Sequence, residues 1–372
     1  MKLLILTCNT GQGHNSCATA VKEELESRGG RCDIVDSLGL ISVKASEFIS
    51  VWHARIYRYA PKAFGTGYAF AESHPEIFDE GKTLNTFFCT GAARLQTLLE
   101  TERYDALLCV HVFPAMMAAE LRRQGKGKLP TGFLATDYTC SPSVEEGDAD
   151  LVLIPHEDLT GEFVSHGIER SRVVASGIPV HRAFAPCADK WAAKACMELP
   201  TAGKNLLLMC GSMGGGPIKE LVYRLSELLG PGDSLCAVCG SNARLYEAIE
   251  KSKPRNVRLY GYTQEVPRLM DAADVFLTKP GGISITEAAA KRLPMVLNCT
   301  VDGCEARNLD FFLSHGYAQT GRDMEEVAQR CLALLWDDGA RAAASAALRA
   351  LDNKGAARIC DAFYAAVRRW NG

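Results

Sequence analysis

Short apolar runs alternate with longer helical patterns along the whole chain of 372 residues. Alternation of this kind predicts parallel β-sheets whose strands are joined by crossover helices. The predicted strands form two groups: residues 3–6, 33–35, 106–110, 132–135, 151–154 and 173–175, then 205–209, 235–238, 257–260, 275–277 and 295–297. The pattern therefore predicts an α/β fold with two doubly wound domains.

A break separates the two groups of strands at residues 176–187, where Gly177, Pro179 and Pro186 occur together. We interpret this segment as a linker between a first domain, residues 1–178, and a second domain, residues 188–352. Residues 353–372 carry apolar side chains at helical spacing and predict an amphipathic helix that packs back on the first domain. In sheets of this kind ligands bind beyond the carboxyl ends of the strands, so the predicted site is the cleft between the domains.

Composition excludes several classes of protein. The formal net charge of −3 argues against a general nucleic-acid binder. No apolar run approaches the roughly 20 residues of a membrane span, and the first residues do not resemble a signal peptide. The 15 cysteines include Cys236 and Cys239, whose spacing in a strand points their side chains to opposite faces, so buried thiols in a reducing cytoplasm are expected.

Three predicted strand-to-helix turns are rich in glycine: TCNTGQGHNSCATA, MCGSMGGGPIKEL and TKPGGISITEA. Taken singly, each of these segments could be a tight turn between a strand and a helix without any ligand. Together they favour a diphosphate ligand, since glycine lets a ligand approach the backbone and a helix N-terminus presents free N–H groups. The first turn lacks a dinucleotide fingerprint because Ser16 stands where a glycine is needed, and the chain has no P-loop motif.

The third turn also carries polar side chains in its first helical turn. The hydroxyls of Ser284 and Thr286 could cap the helix or bind a phosphate. The carboxylate of Glu287 could favour the helix dipole or accept both hydroxyls of a ribose. The residues themselves leave both alternatives open.

These stretches resemble a known family. TKPGGISITEAAAKRLPMVL is similar to the donor-site signature of nucleotide-sugar glycosyltransferases with two Rossmann-like domains facing a central cleft, the GT-B fold. GQGH at residues 11–14, TDY at 136–138 and SGIPV at 176–180 occur in the same order in monogalactosyldiacylglycerol synthases and bacterial processive diacylglycerol glucosyltransferases. MurG of peptidoglycan synthesis is more distantly similar. The resemblance runs from about residue 3 to residue 312.

The resemblance implies an inverting transfer of a hexose from a UDP-sugar to a lipid hydroxyl, with diacylglycerol as the first candidate acceptor and with no cofactor or catalytic metal. It places Gly281, Gly282, Ser284 and Thr286 at the diphosphate and Glu287 at the ribose. It also assigns Gly11 and Gly13 to the first turn, Gly211, Ser212 and Gly214 to a second phosphate loop, and Gly261 and Tyr262 to the uracil.

His14 lies where the family has a histidine that faces the acceptor. An imidazole can take a hydroxyl proton at neutral pH, and a helix N-terminus disfavours its protonated form. Asp137 is the second candidate base, or a residue that orients His14. A capping or packing histidine is the alternative.

The chain departs from the family's sugar-contacting pattern, PGQExxN. Residues 302–308 read DGCEARN, so Glu305 and Asn308 keep their spacing and could bond sugar hydroxyls. Asp302 and Cys304 replace the proline and the glutamine, and a thiol cannot supply the paired donor and acceptor of an amide. The histidine and tryptophan often found after TDY are missing. The identities of the hexose and of the acceptor stay open.

Residues 48–62 contain no acidic side chain. Phe48, Trp52, Ile56 and Tyr59 lie on one helical face, and a second face carries Arg55, Arg58 and Lys62. This pattern is typical of a helix on an anionic membrane surface, although a helix packed into the first domain gives a similar one. We therefore expect a cytoplasmic protein at the inner face of the cell membrane.

Two other functions fit the same architecture. A UDP-sugar epimerase would need no acceptor. A non-catalytic UDP-sugar sensor would bind the nucleotide without chemistry.

Overall fold

The computed structural model describes residues 1–9, 11–59, 65–67, 70, 71, 73–79, 81–298, 303–352 and 354–371. The chain divides into two compact units. Unit 1 comprises residues 1–56, 62–181 and 353–372, and unit 2 comprises residues 57–61 and 182–352. The change from one unit to the other at residues 181 and 182 falls within the segment 176–187.

Unit 1 contains a parallel six-stranded sheet. Its strands are β1 Lys2–Thr7, β2 Arg31–Asp36, β3 Ala106–Cys109, β4 Thr131–Leu134, β5 Leu151–Ile154 and β6 Val173–Ala175. The strand order is β2-β1-β3-β4-β5-β6. The helices of the same unit are α1 Gln12–Ser27, α2 Ser37–Ile41, α3 Val43–Tyr59, α4 Thr83–Cys89, α5 Ala92–Glu102, α6 Val112–Arg123, α7 Thr160–Ser165 and, from the end of the chain, α16 Gly355–Asn371.

Unit 2 repeats the plan with a second parallel six-stranded sheet. Its strands are β7 Asn205–Met209, β8 Ser234–Val238, β9 Val257–Tyr260, β10 Val275–Thr278, β11 Met295–Leu297 and β12 Gln319–Thr320. The strand order is β12-β11-β10-β7-β8-β9. The helices are α8 Lys190–Cys196, α9 Ile218–Leu228, α10 Ala243–Glu250, α11 Val266–Ala272, α12 Gly282–Ala290, α13 Cys304–Ser314, α14 Met324–Trp336 and α15 Asp338–Ala347.

Burial explains why the strands read as unbroken apolar runs. Every residue of β3, β4, β5, β7, β8 and β10 is buried, because helices cover both faces of each sheet. All eleven strands predicted from the sequence are present in the two sheets, which confirms the predicted fold class. The two-residue strand β12 was not predicted, since Gln319 and Thr320 give no apolar run.

The last helix, α16, lies against α1 in unit 1. Phe363 is fully buried, and a side-chain carbon added at Gly132 in β4 would come within 2.6 Å of its ring. Arg28 pairs with Asp361 at 2.6 Å on the rim of the same contact. Glycine in β4 therefore lets this helix approach the sheet closely.

The strand orders determine which turns lie side by side. In unit 1, β1, β3 and β4 are consecutive, so the segments that follow them share one edge of the sheet. In unit 2, β11, β10, β7 and β8 are consecutive, which places the second and third glycine turns next to each other. Among the described helices, none combines the length and the apolar character that crossing a bilayer requires.

Candidate active site

The turn after β10 leads directly into α12. Gly281 precedes the helix in an extended conformation (φ −74°, ψ 127°), and no side chain of the described residues caps the helix N-terminus. The first N–H groups of α12 are therefore available to an anion, and the helix dipole favours one there. Among the described residues, a side-chain carbon at Gly281 would meet only Lys279, at 3.6 Å, so none of them requires glycine at this position.

Asn308 on α13 holds this turn in place. Its side-chain nitrogen donates a hydrogen bond of 2.9 Å to the carbonyl oxygen of Pro280, and the residue is completely buried. The sequence suggested a contact between Asn308 and a sugar hydroxyl. The structure places its amide nitrogen on the backbone that precedes the glycines, so Asn308 positions the turn, and the sugar contact stays a prediction.

The turn after β7 packs tightly against the turn after β8. Gly211 and Gly214 have φ values of 73° and 62°, in the left-handed region that favours glycine. A side-chain carbon at Gly214 would overlap the carbonyl oxygen of Cys239. The carbonyl of Ser212 accepts a hydrogen bond of 2.8 Å from the N–H of Ser241. The Ser212 hydroxyl has no hydrogen bond to the described residues, so it is available to a ligand.

Lys279 connects the two glycine turns. Its side chain crosses Gly211 so closely that a carbon added there would lie 2.7 Å from Cε of the lysine. Its ammonium forms a largely buried ion pair with Glu305, the second residue of α13. A cation is thus placed beside the uncapped helix. Sequence analysis did not select Lys279, although a lysine directly before a glycine turn at the end of a buried strand was a usable signal.

The polar side chains of α12 differ in their surroundings. Thr286 donates a hydrogen bond of 2.6 Å to the carbonyl of Gly282, one turn back in its own helix. Ser284 makes no hydrogen bond through its side chain to the described residues. Glu287 is 8% exposed and is likewise without a hydrogen bond from its carboxyl group in the described part of the chain. Burial raises the pKa of Glu287 to about 8. At neutral pH this group is therefore mostly a carboxylic acid, which both donates and accepts hydrogen bonds.

Other predicted residues of unit 2 are at the end of β9 and at the start of α13. Gly261 and Tyr262 follow β9 at the edge of the sheet, and the Tyr262 side chain is 60% exposed. Cys304 begins α13 and is partly exposed. Asp302 lies outside the described residues.

In unit 1, Gly11 precedes α1 and Gly13 is its second residue. The backbone of Gly11 is extended (φ 177°), and no atom of the described residues lies within 4 Å of a side-chain carbon added there. Neither strain nor crowding explains the glycine at position 11. The absence of a side chain at Gly11 leaves open space beside the N-terminus of α1.

His14 is the third residue of α1 and is half-buried. Burial lowers its pKa to about 4, and a hydrogen bond with the Val110 backbone opposes this shift. Its Nδ1 atom is inaccessible to solvent and has no partner among the described residues. His14 is therefore a neutral imidazole at neutral pH.

Two further residues follow the neighbouring strands. Asp137 lies in the segment after β4 and is half-buried. His111 follows β3, and its ring contacts that of His14 with centroids 5.0 Å apart. The structure gives no direct bond between Asp137 and His14, so the orienting part predicted for Asp137 stays a prediction. His111 was not selected from the sequence, because a single histidine after a strand is a weak signal.

Comparison with known proteins agrees with this arrangement. The family model of monogalactosyldiacylglycerol (MGDG) synthase matches residues 14–180. A processive diacylglycerol β-glucosyltransferase from Bacillus cytotoxicus is 27% identical over 342 residues, which cover 91% of this chain and 86% of the relative.

Two solved structures share the fold. MurG of Acinetobacter baumannii matches with a TM-score of 0.63 at 14% identity and covers 98% of this chain and 99% of its own. UDP-GlcNAc 2-epimerase from Neisseria meningitidis, bound to UDP-GlcNAc, matches with a TM-score of 0.57 at 15% identity and covers 94% and 98%.

The resemblance inferred from the sequence is confirmed by these matches. The chain has the GT-B fold and is a glycosyltransferase. It is similar to the monogalactosyldiacylglycerol synthases and the processive diacylglycerol glucosyltransferases.

Proposed function

We propose that this glycosyltransferase moves a hexose from a UDP-sugar to the hydroxyl of diacylglycerol or a closely related lipid, with inversion at the anomeric carbon. The observation that carries the donor assignment is the uncapped N-terminus of α12 with the Lys279 ammonium beside it. Backbone N–H groups and a cation together suit a diphosphate. The names of the similar enzymes support the lipid acceptor.

The donor is assigned to unit 2. The diphosphate would be bound by the α12 N-terminus, Ser284 and Ser212, with Lys279 supplying positive charge. Glu287, one turn further into α12, would bind the ribose hydroxyls. As a carboxylic acid at neutral pH it can give one hydrogen bond and accept another.

The acceptor proton is assigned to His14 in unit 1. The imidazole of His14 would take the proton of the lipid hydroxyl while the oxygen forms a bond to the anomeric carbon of the sugar. The bond between that carbon and the β-phosphate oxygen breaks, and UDP leaves with the electron pair. A positioned base of this kind contributes a factor of about 10² to 10⁴ in rate. In this proposal the leaving charge is stabilised by helix N–H groups and Lys279, and no metal is required.

The surface of α3 supports contact with a membrane. Phe48 is 64% exposed and Trp52 is 47% exposed, so these two rings of the predicted apolar face are not buried in unit 1. The side chain of Tyr59, which belongs to the same predicted face, lies outside what the structure describes. The neighbouring Ile49 packs against the core cluster that contains Leu38 and Phe88. Arg55 lies over the Trp52 ring, 5.9 Å from its centroid. The Arg58 side chain and Lys62, the other predicted basic residues, lie outside what the structure describes.

The deciding experiment supplies the purified chain with UDP-glucose or UDP-galactose and diacylglycerol in mixed micelles. We expect release of UDP and a glycolipid whose anomeric configuration is opposite to that of the donor, seen by mass spectrometry and NMR. His14→Ala should abolish turnover, and EDTA should leave it unchanged. Conversion of the UDP-sugar without a lipid would identify an epimerase. Saturable binding without any reaction would identify a sensor.

A further inference from the structure

A second imidazole lies directly against His14. His111 and His14 meet edge to face, with ring centroids 5.0 Å apart and ring planes at 76°. The contact follows from the sheet, since β1 and β3 are paired and each histidine follows one of these two strands. Edge-to-face contacts of this kind are favourable and hold two rings at a defined angle.

The orientation of His111 is itself fixed. Its Nδ1 accepts a hydrogen bond of 3.2 Å from the N–H of Phe113 at the start of α6. Its ring also lies against the Phe113 ring, with centroids 4.3 Å apart, and Phe113 stacks on Phe88 at 3.7 Å. Phe88 is buried in a core cluster of unit 1. The row of rings therefore anchors His111 to the core, and His14 is at its far end.

We propose that His111 is a positioning residue for the reaction, whose ring fixes the plane of the His14 imidazole and keeps water away from it. The inference rests on the proposed function, in which His14 is the base. A base that is held at one angle loses less orientational freedom in the transition state. Exclusion of water by the neighbouring ring also keeps His14 neutral, because a buried imidazole is harder to protonate.

The surroundings of His14 agree with shielding by a neighbouring ring. Burial is the main cause of its lowered pKa, and no charged side chain of the described residues contributes to the shift. His111 is the titratable group in ring contact with it. The Nδ1 of His111 accepts the hydrogen bond from Phe113.

The competing explanation is that His111 only caps α6. His156 provides the matched comparison, since its Nδ1 accepts a hydrogen bond of 3.3 Å from the N–H of Asp158 in the same way. A side chain that keeps the cap but lacks the ring, and one that keeps the ring but lacks the cap, separate the two explanations. Asparagine at position 111 keeps the cap but lacks the ring, and phenylalanine at this position keeps a ring but lacks the cap.

The experiment follows the His14 ring signals by NMR during a pH titration of the full chain and of three variants: H111N, H111F and the control H156N. If the ring positions His14, H111N raises the His14 pKa by about one unit or more toward the solvated value near 6.5. H111F and H156N should leave the titration as in the wild type. In the transferase assay H111N should lower kcat by about tenfold or more, without a change in the KM for the UDP-sugar.

Any other combination of His14 titrations in these variants contradicts the inference. A wild-type titration in H111N together with an altered one in H111F identifies a cap. Equal behaviour of H111N and H111F, whether both are altered or both unchanged, removes the ring contact as the cause. A cooperative thermal transition and UDP binding by unit 2 show that each variant is folded. Because the titration needs no turnover, absence of transferase activity would count against the proposed function and leave this test standing.

Discussion

Lys279 and Glu305 form an ion pair that is largely withdrawn from solvent, with side-chain exposures of 16% and 5%. The stem of the lysine crosses the turn at Gly211, and its ammonium lies beside the turn that begins α12. The pairing keeps a cation at the point where the two glycine turns meet. Removal of one partner from such a pair leaves an uncompensated buried charge, so tests of Lys279 must keep that cost apart from ligand binding.

The first prediction concerns recognition of the diphosphate. Lys279→Met in the background of Glu305→Leu should weaken UDP binding by about 10- to 100-fold, because a charge-assisted contact to phosphate is worth about 1.5–3 kcal/mol. Binding of uridine, which has no phosphate, should change little. Isothermal titration with both ligands measures the difference.

Lys204 offers the matched control. It forms a surface ion pair with Asp338 at 2.9 Å in the same unit, away from the glycine turns. Lys204→Met should leave the affinities for UDP and for uridine unchanged. An equal loss of both ligands in the Lys279 variant would show a general distortion of unit 2 and would contradict the assignment.

The second prediction is the pH dependence of the transfer reaction. The pKa of His14 is lowered to about 4, so its imidazole is already unprotonated at pH 5.5 or above. The value of kcat/KM should therefore show no loss near pH 6.5 that is caused by His14, in contrast to an enzyme with a solvated histidine base. Rates from about pH 5 to pH 8 decide the point. A loss of kcat/KM at low pH with a midpoint near 6.5 would show that another group is the base, or that His14 is more exposed to solvent than the structure indicates.

The third prediction separates two glycines that share a positive φ. Gly214 (φ 62°) packs against the Cys239 carbonyl, whereas Gly232 (φ 89°) has no atom within 4 Å of an added side-chain carbon. Gly232→Ala should cost about 1 kcal/mol of unfolding free energy, which is the strain of the backbone alone. Gly214→Ala should cost several times more, because the turn must also move. Equal losses in chemical denaturation would contradict the close packing of the two turns.

Local sequence pattern was sufficient for the framework of the fold. Apolar runs predicted the strands because a parallel sheet is buried on both faces, and glycine before a helical pattern predicted the turns. The strand β12 was not predicted, because its two polar residues show no periodicity. The resemblance to the family came partly from the same turns. It predicted the donor-binding residues in the second half of the chain.

Local sequence pattern could not predict contacts between distant parts of the chain. The ring contact of His14 with His111 depends on the pairing of β1 with β3, which local spacing does not specify. Asn308 kept the family's spacing, yet only the fold shows that its amide holds Pro280. The same holds for Lys279, because neither the passage of its side chain across Gly211 nor its ion pair with Glu305 follows from local spacing.

The fourth prediction uses the raised pKa of Glu287. Its folded value of about 8 lies above the ordinary value of 4.5, so the folded chain keeps a proton that the unfolded chain has lost between these two pH values. Stability from this group therefore falls as the pH rises through that window. Glu287→Gln should remove the slope and melt at a higher temperature than the wild type at pH 8. Glu247→Gln, at an exposed position on α10, is the control. Parallel curves for wild type and Glu287→Gln would contradict a buried carboxylic acid.

The last prediction tests α3 as the membrane contact. The double variant Phe48→Ala, Trp52→Ala should weaken binding to phosphatidylcholine–phosphatidylglycerol vesicles by about 10-fold or more, since each exposed aromatic ring would otherwise bury apolar area in the interface. Trp191→Ala is the matched control, because Trp191 is 65% exposed but lies on α8 of unit 2. Arg55→Ala should reduce binding to the anionic vesicles and leave binding to pure phosphatidylcholine nearly unchanged. UDP affinity should be the same in all three variants. Vesicle binding that depends on Trp191 as much as on Trp52, or on neither, would show that the exposed face of α3 has a different purpose.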